Sequence, residues 1–147
     1  MEVKELIIKH KIVKDIYTDD EHIIFEMDDG KAMIFHHNQD CCEDVGVEQI
    51  DGDLSNLIGE PLLMAEETID SSSDDWDSVT WTFYKFATIK GYVTIRWAGY
   101  SNGYYSESVD MALVDGYASL NPHDVLDAID CDTIMYDDVY IDNDDEI

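Results

Sequence analysis

The chain has 147 residues, 45% of them hydrophobic, and carries 35 acidic against 8 basic side chains, a formal charge of −27. That length fits one domain, or one domain with an appendage, and the apolar share is enough for a core. The charge exceeds the magnitude of about 2–8 that solubility asks of a small domain. It costs stability through self-repulsion and argues against direct contact with nucleic-acid phosphates or an anionic membrane surface.

The elements follow in chain order. Residues 2–9 predict a short helix with Val3, Leu6 and Ile7 on one face, and residues 11–17 a first strand. The run 22–37 reads as a hairpin turning at Asp29-Gly30. That turn pairs Met27 with Ala32, Phe25 with Ile34 and Ile23 with His36, placing Phe25, Met27, Ala32 and Ile34 on one apolar face. A polar connection follows over 38–46, then a short strand over 47–50. Residues 53–58 predict a helical turn capped by Asp53 and ended by Gly59. A strand entered by Pro61 runs to residue 69, and 70–78 reads as an exposed loop.

The strongest β signal is residues 79–97. A turn at Lys90-Gly91 pairs Thr88 with Val93, Phe86 with Ile95 and Tyr84 with Trp97, and these six form a core face. The other face then opposes Lys85 to Arg96, so carboxylates are expected beside both. A third strand is expected to follow Asn102-Gly103 and pair with this hairpin. A bulge near Ala98-Gly99 would turn Val109 and Met111 to the core. Beyond it, Asn121-Pro122 starts a short helix, 133–141 forms a small hairpin, and the chain ends acidic.

The sum is an α+β, mainly β fold: a twisted antiparallel sheet of about six strands with one or two short helices. Residues 1–113 form the β-rich domain and 114–147 an acidic C-terminal extension.

The charge is uneven. Residues 18–80 hold 19 acids and one base, residues 81–97 hold three bases and no acid, and residues 98–147 hold 13 acids and no Lys or Arg. Asp-Asp pairs recur at 19–20, 28–29, 74–75, 137–138 and 144–145 without a fixed period, at turns and loops. Cys41, Cys42 and Cys131 are a poor disulfide framework, being odd in number with two adjacent. No signal-peptide pattern or apolar run of about 20 residues occurs, so the expected location is the reducing cytoplasm.

Two stretches, HNQDCCE followed by GDLSNLIGEPLLMAEE, and WTFYKFATIKGYVTIRWAGYSNGYYSESVDM, resemble an uncharacterised domain family encoded by phages and prophages of Gram-positive bacteria. The resemblance spans roughly residues 11–112. It implies a viral origin and expression inside a bacterium, and carries over no activity or cofactor.

The chemistry motifs are sparse. His36, His37, Asp40, Cys41, Cys42 and Glu43 are metal-capable, with His123 and Cys131 elsewhere, but adjacent cysteines do not fit the spacing of structural zinc. The cysteines read as small apolar fillers of a buried turn. The acidic loops lack the calcium-loop pattern. Cys42 with His37 is a conceivable nucleophile pair, yet the surrounding acids would raise the thiol pKa. The expectation is therefore no enzyme, no cofactor and no metal. Tyr100, Tyr104 and Tyr105 flank a turn, either as a binding spot or as packing around the hairpin.

The leading function is a DNA-mimic inhibitor of anti-restriction or anti-CRISPR type. It would bind the basic groove of a host defence or DNA-processing protein through Asp124, Asp127, Asp130, Asp132, Asp137, Asp138, Asp142, Asp144, Asp145 and Glu146. The alternatives are a structural module of the phage particle and a small metal-binding protein using the His-Cys cluster. The sequence does not set the oligomeric state.

Overall fold

The structure is a computed structural model that describes residues 2–115 and 139–141. The described chain is mainly β, with strands β1 (Val3–Glu5), β2 (Val13–Thr18), β3 (Ile23–Met27), β4 (Lys31–His36), β5 (Asp44–Asp51), β6 (Met64–Ser73), β7 (Ser78–Thr88), β8 (Gly91–Ser101) and β9 (Asp110–Asp115). They form two antiparallel sheets rather than one, in the orders β1-β6-β7-β8-β5 and β2-β3-β4-β9. The one helical element among the described residues is a 3-10 turn, Leu54–Leu57, with Asp53 as its cap as expected.

The sheets face each other across one core. Phe25 of β3 packs on Phe86 of β7 at 4.9 Å between ring centroids, and Phe35 of β4 on Tyr84 of β7 at 4.8 Å. Val93, Ile95 and Trp97 complete the β8 side, with Met27, Met33 and Met111 opposite. A second cluster of Ile24, Ala32, Ile34, Ala112 and Val114 is buried on the other face of the four-stranded sheet. That sheet is therefore apolar on both faces, whereas the middle of β7 and β8 alternates buried with partly or fully exposed positions.

This contrast explains where the predicted registers hold. In β7–β8 the turn is Ile89-Lys90, and the pairs are Phe86–Val93, Tyr84–Ile95 and Thr82–Trp97. The register differs from expectation by two residues. An even shift keeps side chains on their face, so the expected six core residues are all buried. In β3–β4 the turn holds three residues, Asp28, Asp29 and Gly30, with Gly30 at φ 88°. Phe25 then meets Met33 and Ile24 meets Ile34. The shift of one moves Ala32 and Ile34 away from Phe25 and Met27, onto the second cluster. With apolar residues on both faces, alternation alone could not select between the registers.

Three further expectations are corrected. Residues 2–9 are not a helix. Leu6 N–H donates to Ala65 at 2.8 Å and Ile7 N–H to Val139 at 2.7 Å, so sheet pairing takes the backbone groups a helix would need. Residues 70–78 are not a loop throughout, because β6 and β7 pair as far as Ser73–Ser78 and leave a four-residue turn. The strand after Asn102-Gly103 joins β4, not β8. Val109 and Met111 do face the core, but by crossing between sheets. β8 pairs with β7 without a bulge; the irregularities lie in β2 and β5.

The crossing rests on Gly99. A Cβ there would collide with the backbone carbonyl of Glu107. The buried Glu107 carboxylate accepts from Ser78 Oγ at 3.1 Å, Thr80 Oγ1 at 2.7 Å and Ser101 Oγ. The predicted helix at 121 and most of the predicted 133–141 hairpin fall outside the described residues. Residues 139–141 pair with Glu5–Ile7 at the β1 edge.

Candidate functional site

The ten C-terminal acids from Asp124 to Glu146 singled out above all lie outside the described residues. Near them, Val139 is buried in the core, and Tyr140 OH donates to the buried Glu67 at 2.8 Å. Tyr84 OH donates to the other oxygen of the same carboxylate at 2.8 Å. Burial, and then the charge of Glu67, push the Tyr84 and Tyr140 hydroxyls well above their ordinary range. This clasp ties residues 139–141 to the five-stranded sheet.

Among the described residues, acids gather at one end of that sheet. Val79, Tyr100 and Asp44 form one cross-strand row, next to the β6–β7 turn. That turn is shaped by Asp74, whose carboxylate accepts from the N–H groups of Trp76 at 2.9 Å and Asp77 at 2.8 Å. These bonds hold the Asp74 carboxyl below its ordinary value. The β2–β3 turn is built similarly. Asp19 accepts from Glu21 N–H at 2.8 Å and Tyr17 OH at 3.0 Å, and Val47 N–H of β5 donates to the Asp20 carbonyl at 2.8 Å.

The turn is thereby pinned to the β5 edge, with Asp20 and Glu21 exposed. Two concavities of about 370 Å³ each share Tyr100. One is lined by Asp20, Glu21, Asp44 and Glu48, the other by Asp74, Asp77 and serines. Acids from three distant segments thus make one rim around Tyr100. Glu48 is engaged, taking Arg96 Nη2 at 2.7 Å and Tyr100 OH at 2.9 Å. Asp20, Glu21 and Asp44 have no ion-pair partner among the described residues. The Glu48 bond raises the Tyr100 pKa.

The expectation of carboxylates beside Lys85 and Arg96 holds in part: Arg96 pairs with Glu48, and Glu66 is the cross-strand neighbour of Lys85. The two cations are not opposed, however, since Lys85 faces Thr94 and Arg96 faces Phe83. The rim itself was not anticipated. Its one sequence signal was the Asp-Asp pairs at 19–20 and 74–75, which the fold brings to the same end.

The His-Cys segment is organised around Glu43. Its buried carboxylate accepts from Asp40 N–H at 2.9 Å and Cys41 N–H at 2.9 Å, and faces His37 Nε2 at 2.9 Å. Burial alone would raise the Glu43 pKa. The N–H of Cys41, the His37 ring and the N–H of Asp40 outweigh it and hold the value at about 2. His37 Nδ1 meets the Ser108 carbonyl at 2.7 Å, so both ring nitrogens are engaged.

Cys41 and Cys42 are exposed and joined to each other, S–S 2.09 Å, which corrects their reading as unpaired, buried fillers. With Cys42 so bonded and His37 engaged, no thiol–imidazole pair is assembled here. No group of three metal-capable side chains gathers among the described residues. His123 and Cys131 lie outside them.

Among the described residues, no helix is long and apolar enough to cross a membrane. A family described as a domain of unknown function (DUF7448) matches residues 5–111. No curated protein matches the chain, and no solved structure does.

Proposed function

This chain belongs to the DUF7448 family, and we propose that it is a phage-encoded inhibitor that imitates DNA. It occupies the basic nucleic-acid groove of a host defence or DNA-processing protein, of the kind targeted in anti-restriction or anti-CRISPR inhibition. It acts in the bacterial cytoplasm by competition, without chemistry of its own. The observation that carries this reading is the rim around Tyr100, where Asp20, Glu21 and Asp44 have no ion-pair partner among the described residues, in a chain of charge −27. Duplex DNA presents one negative charge per roughly 1.7 Å of axis, and a cluster of exposed carboxylates offers a basic groove charge of the same sign. The C-terminal acids from Asp124 to Glu146, in a stretch without Lys or Arg, add to the negative charge.

Capture from a bacterial host lysate on the immobilised full chain, read by mass spectrometry, tests the proposal. The expected catch is a basic nucleic-acid-binding protein, released by salt because exposed ion pairs are screened and displaced by duplex DNA. A partner indifferent to both salt and DNA sinks the mimic. The competing reading is a structural module of the phage particle, favoured by Tyr104, which is 89% exposed on the loop after β8. Recovery of the chain from purified virions would support that reading instead.

A further inference from the structure

The five-stranded sheet has an open face. Thr82, Tyr84, Phe86 and Thr88 of β7 point into the core, so Val79, Trp81, Phe83, Lys85 and Ala87 point away from it. Across the ladder lie Tyr100 beside Val79, Ala98 beside Trp81, Arg96 beside Phe83 and Tyr92 beside Ala87. Tyr92 is 65% and Tyr100 48% exposed, and Trp81 and Phe83 are partly exposed on the central strand. On β6, Glu66 and Asp70 share this face beside Lys85 and Trp81.

The middle of the face carries Glu66 and Asp70 around Lys85 and Trp81, and Arg96 already paired with Glu48 at 2.7 Å. In a chain of charge −27 it is an aromatic platform whose charges nearly balance. Its β5 side is different: Asp44 and Asp51 flank it with no ion-pair partner among the described residues, and Asp20 and Glu21 wall the concavity floored by Ala98 and Tyr100.

We infer that this face docks an arginine-bearing segment of a basic protein. The inference rests on the proposed function and names where and how the partner is held. A guanidinium lies flat on an aromatic ring while its N–H fork pairs with a carboxylate, and it sheds its hydration more readily than an ammonium. Rings in the middle, and at the border carboxylates with no ion-pair partner among the described residues, match that ion on both counts. A phosphate-bearing strand would find rings to stack on but meets the acidic border, and a second copy would oppose one border to another.

The probe is a fluorescein-labelled arginine-rich peptide, with its lysine counterpart, binding the full chain at low salt. The arginine peptide should bind about tenfold more tightly than the lysine one. Replacing Trp81→Thr and Phe83→Thr, which keeps strand propensity, should weaken it about tenfold. Hydroxyl-radical footprinting of the wild-type chain needs no variant: Trp81 and Phe83 should be shielded by the peptide. If they stay equally reactive while Asp142→Asn, Asp144→Asn, Asp145→Asn and Glu146→Gln together abolish binding, the face is not the dock and the basic-partner reading survives. Lysate capture of a basic partner without any arginine-peptide binding overturns this inference alone, and failure of both overturns both. Shielding in the absence of peptide with a dimer by light scattering, or shielding by oligothymidylate, assigns the face to another occupant and overturns it.

Discussion

Glu43 shows how much one side chain can organise. Its folded pKa of about 2 lies below its ordinary 4.5, so the ionised form is the one the fold prefers. Its stabilising contribution is complete above pH 4.5 and is lost as pH falls from there toward 2. The amide NMR signals of Asp40 and Cys41, which donate to this carboxylate, should titrate with a midpoint near 2. Glu43→Gln should abolish that titration. A midpoint at 4.5 in the wild type would show that the bonds do not form in solution. Gly99 is a second such position. The Glu107 carbonyl occupies the space of a Cβ, so Gly99→Ala should destabilise by about 1–3 kcal/mol, the usual range for overpacking, measured by urea unfolding. An unchanged midpoint would mean that the crossing is made some other way. Neither role was legible in the sequence, which read Glu43 as a metal-capable group and Gly99 as a bulge.

At the level of elements, the Glu67 clasp is the most testable feature. Tyr140→Phe removes one of two hydroxyl donors to a buried carboxylate and should cost about 1.5 kcal/mol. Amide exchange of Ile7 and Ile141, which bond across this junction, should quicken while that of the β7–β8 ladder stays slow. Equal quickening everywhere would show that the clasp holds the whole fold rather than one edge. Elements also divide cleanly in how far they could be read. β7–β8 alternates apolar and polar residues, so its facing was evident even though its turn was placed one residue away and its register two. β3–β4 lacks that alternation because both its faces are buried, so only the turn could set its register. The Asp28-Asp29-Gly30 turn adds one residue to the two that were expected.

For the whole molecule, charge dominates. Repulsion among 35 acids opposes compaction, and it acts over a Debye length that shrinks to about 8 Å at 0.15 M salt. Raising sodium chloride from a few millimolar to that value should therefore raise Tm by several degrees. The opposite shift would mean that pairs such as Arg96–Glu48 outweigh the repulsion. The same salt should loosen any basic partner, so stability and affinity are expected to move in opposite directions.

Composition and alternation were enough to establish a mainly β chain, an antiparallel arrangement, the core face of β7 and β8 and the capped turn at Asp53. These depend on neighbours close in sequence and on which side chains avoid water. Tertiary structure decided the rest: the division into two sheets, the crossing of β9 to β4, the clasp at Glu67 and the rim that brings Asp20, Asp44 and Asp74 to one end. Each of these joins residues tens of positions apart. Backbone pairing in a sheet carries no residue code beyond polarity, so the choice of partner strand rests on how all the faces pack together at once.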